Sequence, residues 1–430
     1  MISRRAFGAM AGASAALLLP RAGRASTIRQ LSAPASAKNV EHAIVYRREN
    51  EFASHPYVRG FWETAAGHLI CNFSLATVDY AADPNLLAHI SLVRSPGGRR
   101  AVTVRSEDRG RTWKVVNEDR DRPSNDVRAP RPGIDGKPGA LTEIGPIDYS
   151  NKDVLLSHFN YQYMKEDALI KAFYDSLASS VDAPERQVFF RVSKNAGRTW
   201  SRSAMLPLDG LFSLSAVESS TVRADGQALL FLSGSARQGA AGRPLVYRST
   251  DDGTSFHFLS YITPNDESRY GGLYQMYPRG LALPSGRLLC TLRLDRDWAG
   301  DMWTELHKSD DGGRTWQFLS RVNDFGAPGA PLRLSDGRLV IVYGSRLPPA
   351  GLRAVVSEDE GVTWGPEIIV RDDAGSWDVG YPRAWEAAPG RIGAIYYYNS
   401  KDDPVQVKPV GTLWGAGGVR FIARSFFSID

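Results

Sequence analysis

Short apolar segments alternate with Gly- and Pro-bearing turns along most of the chain, and the unit repeats. The clearest case is Leu281-Ala282-Leu283-Pro284-Ser285-Gly286-Arg287-Leu288-Leu289: an apolar strand, a glycine turn and a second apolar strand. Comparable hairpins run from Phe61 to Phe73, Ser220 to Leu232, Pro331 to Tyr343 and Ala384 to Tyr397. This spacing predicts paired antiparallel strands rather than helices. One stretch departs from it. Leu169, Phe173 and Leu177, with Ile170 and Tyr174 beside them, recur at helical spacing between Lys165 and Val181, which predicts a helical excursion packed on the rim.

Downstream of these hairpins lies a more specific repeat, Ser-x-Asp-x-Gly-x-Thr-Trp. It is complete at Ser106-Asp108-Gly110-Thr112-Trp113, Ser309-Asp311-Gly313-Thr315-Trp316 and Ser357-Asp359-Gly361-Thr363-Trp364. Two degenerate copies keep the skeleton, with Asn195 for the Asp in one and Phe256 for the Trp in the other. Each copy suits a hairpin turn: the carboxylate accepts backbone N–H groups, the glycine takes a positive φ, and the Trp folds back over apolar neighbours. These are Asp boxes. Hairpin plus Asp box supplies about four short strands, the content of one propeller blade. The fold class is therefore all-β, a six-bladed β-propeller of four-stranded antiparallel blades. The blades fall near 57–113, 139–200, 214–256, 274–316 and 327–364, with a sixth from Gly380 that lacks its own Asp box. Val410 to Phe427 and an N-terminal strand around His42 to Arg47 are expected to close that last blade. Seven blades is the rival, because Asn117 to Ile144 is long and poorly patterned.

The N-terminus reads differently. Ser3-Arg4-Arg5-Ala6-Phe7 precedes a mildly apolar run from Gly8 to Leu19 and then Gly23-Arg24-Ala25, the layout of a signal peptide with a twin-arginine head. Residues 1–25 are expected to be removed, 26–39 to act as a linker, and 40–430 to form one propeller domain in a bacterial periplasm or outside the cell. Cleavage takes Arg4, Arg5, Arg21 and Arg24 and no acidic residue, so the formal charge falls by four, from +5 to +1. A nucleic-acid or polybasic membrane reading then has no support. No other stretch is long and apolar enough to span a bilayer. The two cysteines, Cys71 and Cys290, occupy matching strands of non-adjacent blades and are expected to be free, buried and inert. Seven scattered histidines give no metal-ligand spacing, and no phosphate or dinucleotide loop is present, so neither metal nor cofactor is expected.

Chemistry must then come from side chains at the mouth of the ring. Three inner strands open alike, with Tyr57-Val58-Arg59, Tyr277-Pro278-Arg279 and Tyr381-Pro382-Arg383. Alternation puts each Tyr and Arg on one strand face, and arginines from separate blades can converge on one anion. Trp62, Trp298, Trp303, Trp377 and Trp385 fall beside these strands or their loops and suit stacking on sugar rings.

With these blade starts, the Asp boxes resemble bacterial sialidases over nearly the whole mature chain. The resemblance implies an arginine triad that grips a carboxylate, a Tyr–Glu nucleophile and an Asp acid/base. It puts Arg59 at the first arginine, Arg293 at the second and Arg353 at the third, with Arg346 as the alternative to Arg353. Asp83 matches the acid/base, with Asp79 second, and Tyr381 matches the nucleophile. The family's Glu should fall near Tyr277, and none is there; Glu218 looks like the motif one blade early, and Glu305 and Glu386 are other donors. That departure points to a related specificity rather than strict sialidase activity. The reading is an exo-acting glycoside hydrolase removing a terminal acidic sugar, with Arg59, Arg279, Arg293, Arg353, Arg383 and Tyr277 binding it and Asp83, Tyr381 and Glu218 reacting. A uronate-directed lyase or another exo-glycosidase is one alternative, and a non-catalytic carbohydrate-binding propeller is the other.

Overall fold

The computed structural model describes residues 33–56, 60–80, 100–118, 139–161, 187–224, 226–237, 240–296, 301–404 and 419–430. The leader at 1–25, the helical segment at 165–181, Arg59, Asp83 and Trp298 lie outside them. No helix among the described residues is long and apolar enough to cross a membrane.

Strands β1 (Ala35–Ser36) and β2 (Lys38–Tyr46) come first and join sheets formed much later in the chain. The first sheet holds β3 (Glu51–Ser54), β4 (Phe61–Glu63), β5 (Leu69–Thr77), β6 (Arg100–Ser106) and β7 (Lys114–Glu118), with β3 and β4 pairing successive halves of β5. The second holds β8 (Leu155–Tyr161), β9 (Gln187–Ser193) and β10 (Ala204–Met205). The third is β11 (Ser213–Ala224), β12 (Gln227–Ser235), β13 (Arg243–Thr250) and β14 (Ser255–Tyr261), and the fourth is β15 (Tyr274–Ala282), β16 (Leu288–Asp295), β17 (Met302–Ser309) and β18 (Gln317–Arg321). The fifth is β19 (Ala330–Arg333), β20 (Leu339–Ser345), β21 (Gly351–Ser357) and β22 (Ile368–Arg371), with β1 added in parallel to β22. The sixth is β23 (Gly380–Ala388), β24 (Arg391–Tyr398) and β25 (Phe421–Ser428), completed by β2. These are six antiparallel blades of a β-propeller, and the described part of 117–144 adds only a single 3-10 turn at Thr142–Ile144.

Closure follows the expected route: β2, from the N-terminal side, pairs antiparallel with β25, so one blade is sewn from both ends of the chain. The first blade starts at Glu51, earlier than its hairpin pattern indicates. The Asp boxes lead into one more outer strand, exposed in β7, where Val115 and Val116 are 46% and 55% exposed, and with buried apolar residues in β10 and β22. Cys71 and Cys290 are free and buried in the first and fourth sheets, and burial pushes the Cys71 thiol up to about 12, far from a reactive thiolate.

The Asp boxes of Asp108, Asp311 and Asp359 close on themselves. The Thr112 amide and hydroxyl donate to Asp108 at 2.8 and 2.6 Å, Ser106 Oγ donates to it at 2.7 Å, and the Gly110 amide donates to Ser106 Oγ. Gly110 has φ 91°, and a Cβ there would sit 2.2 Å from the Trp385 ring. In the degenerate copy Asn195 Oδ1 still accepts the Thr199 amide at 2.9 Å. The Trp then reaches the preceding blade. Trp316 donates to Ser260 Oγ at 3.2 Å and meets Phe231 edge-on, Trp364 donates to Ser320 Oγ at 2.9 Å, Trp200 packs on Trp62, and Trp113 packs on Trp385. A local turn thus fastens one blade to the next. Replacing Trp316 by Ala removes a half-buried ring and its inter-blade bond, and is expected to cost about 2–3 kcal/mol in urea unfolding without changing ligand affinity; an unchanged unfolding midpoint would contradict this role.

The carboxylates of these turns titrate usefully. The Thr315 hydroxyl, then its amide, hold Asp311 down to about 2. Because the folded value lies below the unfolded one near 3.9, this contribution is present above about pH 4 and lost as pH falls through about 2. Thermal stability should therefore fall less steeply between about pH 4 and 2 in Asp311→Asn, which the natural Asn195 turn shows to be compatible with the geometry; parallel profiles for variant and wild type would refute the assignment.

Candidate functional site

The innermost strands converge: β11 packs on β15, β15 on β19, and β19 on β23. Two of them carry Tyr-Pro-Arg, and both are bulged there, with ladder shifts between Met276 and Arg279 and between Gly380 and Arg383. Tyr277 has φ 59° and Tyr381 φ 50°. A left-handed non-glycine residue costs on the order of 1–3 kcal/mol, and it persists only where its surroundings hold it. His55, just before Pro56 at the end of β3, repeats the geometry at φ 56°. Three aromatic–proline corners therefore face one another. The Tyr381 ring is at their centre, 5.7 Å from Tyr277, 5.7 Å from His55 and 5.5 Å from Tyr397.

Two arginines flank Tyr381. Arg293 Nη1 donates to the Tyr381 hydroxyl at 3.3 Å, its guanidinium lies 5.3 Å from the Tyr277 ring, and Nη2 meets Asp295 Oδ2 at 2.5 Å. Arg293 and Asp295 are two apart on β16, hence on one face, and both are fully buried. Arg346, just past β20, lies 5.5 Å over the Tyr381 ring and 4.0 Å from Asp378, and donates to the Trp377 and Ala327 carbonyls at 2.6 and 2.7 Å. Asp378 accepts from the Tyr397 hydroxyl at 2.6 Å. Burial raises the Tyr381 phenol above its ordinary value, against the pull of Arg293 and Arg346, so the hydroxyl keeps its proton at neutral pH and needs a base to react. Arg279, Arg293 and Arg346 set three guanidinium charges against the two carboxylates of Asp295 and Asp378.

The other expected residues are distributed as follows. Arg279 is buried and donates to the Pro382 carbonyl, joining the fourth blade to the sixth. Arg353 donates to the Arg371 and Pro349 carbonyls at 2.8 and 3.1 Å and lies 3.7 Å from Glu367, all within the fifth blade, so Arg346 and not Arg353 stands beside Tyr381. Arg383 is half-buried and acts on the first and second sheets, where burial first and Arg383 second lower His158 to about 3. The bulges break the two-residue alternation that would align Tyr and Arg side chains. Glu305 is held by Arg269, His307 and Trp303, and Glu386 by Ser335 and the Gly390 amide. Glu218 lies in the register break of β11 between Ser215 and Ser220, with its side chain outside the description, and Asp79 is exposed after β5. Trp62, Trp303 and Trp385 are buried packing residues, whereas Trp377 is half-buried against Arg346.

His55, Asp295, Asp378 and Tyr397 went unread in the sequence. Two carried a signal: Ser54-His55-Pro56 repeats the aromatic–proline pair, and Asp295 follows Arg293 by one strand period.

Known proteins share this architecture. A sialidase from Micromonospora viridifaciens is 28% identical over 232 residues, 48% of this chain and 35% of that protein, so the chain matches about a third of that relative's length. A protein of unknown function from Dyadobacter fermentans superposes with a TM-score of 0.63 at 20% identity, over 91% of this chain and 99% of that one. An alpha-L-arabinofuranosidase of Fusarium graminearum superposes with a TM-score of 0.52 at 12% identity, over 92% and 98%. The structural likenesses establish the fold. The BNR repeat-like domain matches residues 160–394, more than half of the sequence, and the chain belongs to that family.

Proposed function

We propose that the chain is a glycoside hydrolase acting on a terminal sugar that carries a negative charge, with Tyr381 at the reacting centre. The observation that supports it most is Arg293 donating to the Tyr381 hydroxyl on a strained bulge, with Arg346 over the same ring. Guanidinium groups suit a sugar carboxylate, and a neutral phenol approaches such a substrate without the repulsion that a carboxylate nucleophile meets. In this reading the Tyr381 oxygen bonds to the anomeric carbon as the glycosidic bond breaks. The Asp378 charge, like burial, holds the proton on Tyr381, so proton loss must accompany attack; Asp378 is proposed to accept that proton as the bond forms, and Asp83 to protonate the leaving oxygen. Water then releases the sugar. Likeness to both a sialidase and an arabinofuranosidase supports exo-hydrolysis in general, and the arginines favour the acidic member of that pair. Export to the periplasm is proposed from the leader sequence alone.

The experiment is a panel of fluorogenic glycosides: sialoside, uronide and neutral arabinofuranoside. Release from an acidic glycoside supports the proposal, whereas exclusive release from the arabinofuranoside overturns the charge requirement. One observation favours a binding-only propeller: Tyr381 is 2% exposed and Arg293 is already paired with Asp295. Saturable binding of an acidic sugar with no turnover on the panel would establish that second reading.

A further inference from the structure

The two ends of the ring differ. On the fourth sheet Leu288 pairs with Ser309 at the Asp-box end, whereas Asp295 pairs with Met302 at the end that bears Tyr277. On the sixth, Ala388 pairs with Arg391 at the first end and Gly380 with Tyr397 at the second. Tyr381 and Ala388 are seven residues apart on β23, which puts the Asp-box end about 23 Å from the tyrosine cluster.

At that far end, between the sixth and first blades, is a cavity of about 650 Å³. Four arginines line it, Arg109 and Arg111 from the first Asp box and Arg391 and Arg424 from the sixth blade, against two carboxylates, Glu41 and Asp108. Asp108 is committed to its own turn by Ser106 and Thr112. Glu41, on the closing strand β2, is 2.6 Å from Arg424 and 3.9 Å from Arg391, so a carboxylate between two guanidinium groups is already seen there. Arg424 is 6% exposed in its side chain and lies 4.4 Å over the Phe426 ring; Arg391 lies 5.7 Å over the same ring. Contact with one aromatic ring restrains both guanidinium groups beside the cavity. Arg111 is exposed at the lip, and Arg109 is anchored to the Glu386 and Ala387 carbonyls at 2.7 and 2.9 Å.

We propose that this cavity is a second carbohydrate site, separate from the tyrosine cluster, which holds a carboxylate- or sulfate-bearing sugar unit of an acidic polysaccharide. Its size suits one or two sugar rings, its excess of guanidinium over carboxylate selects anions, and its distance from Tyr381 lets one polymer occupy both ends of the ring or tether the protein while the channel stays open. The site stands independently of any hydrolytic activity.

The test is affinity electrophoresis of the full chain in gels containing polygalacturonate, heparin or neutral arabinan. Wild type should be retarded by an acidic polymer and not by arabinan, and less so at high salt. Retardation by polygalacturonate alone assigns a carboxylate ligand, and retardation by heparin includes sulfate. Arg111→Gln, whose side chain is exposed, should weaken binding several-fold and Arg111→Gln/Arg391→Gln about tenfold, with unfolding midpoints recorded alongside. Arg293→Met/Asp295→Leu, which removes an anion-binding group of the tyrosine cluster, should still be retarded by the acidic polymer. The proposal falls if neither acidic polymer retards the protein, if both arginine variants bind unchanged, or if a folded Arg293→Met/Asp295→Leu loses its retardation, which assigns binding to the tyrosine cluster.

Discussion

Asp295→Ala is expected to destabilise the protein by about 3–5 kcal/mol, the largest effect of any single change considered for this chain. The variant strands the Arg293 guanidinium, 1% exposed, in a site where Asp295 now meets it at 2.5 Å. Bringing both charges out of water is costly, so the pair contributes little net stability by comparison with apolar residues; the damage comes from removing one partner and leaving the other buried and uncompensated. The double variant Arg293→Met/Asp295→Leu should accordingly recover most of the loss while weakening recognition of an anionic sugar at the tyrosine cluster. Urea unfolding followed by tryptophan fluorescence reads both. If Asp295→Ala unfolds at the wild-type midpoint, or the double variant is as unstable as the single one, the pair is not the buried element described.

Tyr381→Phe is expected to reduce turnover of the acidic glycosides by at least about 1,000-fold, with little change in fold stability. The substitution keeps the ring that packs on Tyr277, His55 and Tyr397 and removes only the hydroxyl that accepts from Arg293. A packing role would move the unfolding midpoint and spare turnover, and a catalytic role does the reverse. Binding of the acidic sugar should survive, because Arg293 and Arg346 remain. Turnover within a few-fold of wild type would remove Tyr381 from the reaction.

The expected arginine triad shows where sequence reasoning ends. Arg293, expected from the resemblance to sialidases, stands beside Tyr381, but Arg353, expected on the same ground, is engaged with carbonyl groups inside its own blade. Arg279 shares its Tyr-Pro-Arg context with Arg383, yet it bridges two blades through the Pro382 carbonyl. Strand alternation cannot anticipate this, because both Tyr-Pro pairs sit in bulges where the period of two is lost. His55 and Asp378 come from segments with no Asp box or glycine turn to mark them, and they acquire meaning only beside Tyr381 and Tyr397.

The all-β repeat and the Asp-box turns were determined by the sequence itself, because each turn completes its hydrogen bonds within a few residues, from Ser106 to Thr112, and recurs with those residues; the sixth blade, which has no box, left the blade number to the structure. The composition of the pocket was decided by the tertiary structure. Residues at 55, 293, 346, 378 and 381 lie far apart in the chain and meet only in the closed ring, and their directions are set by bulges and by carbonyl groups of other segments.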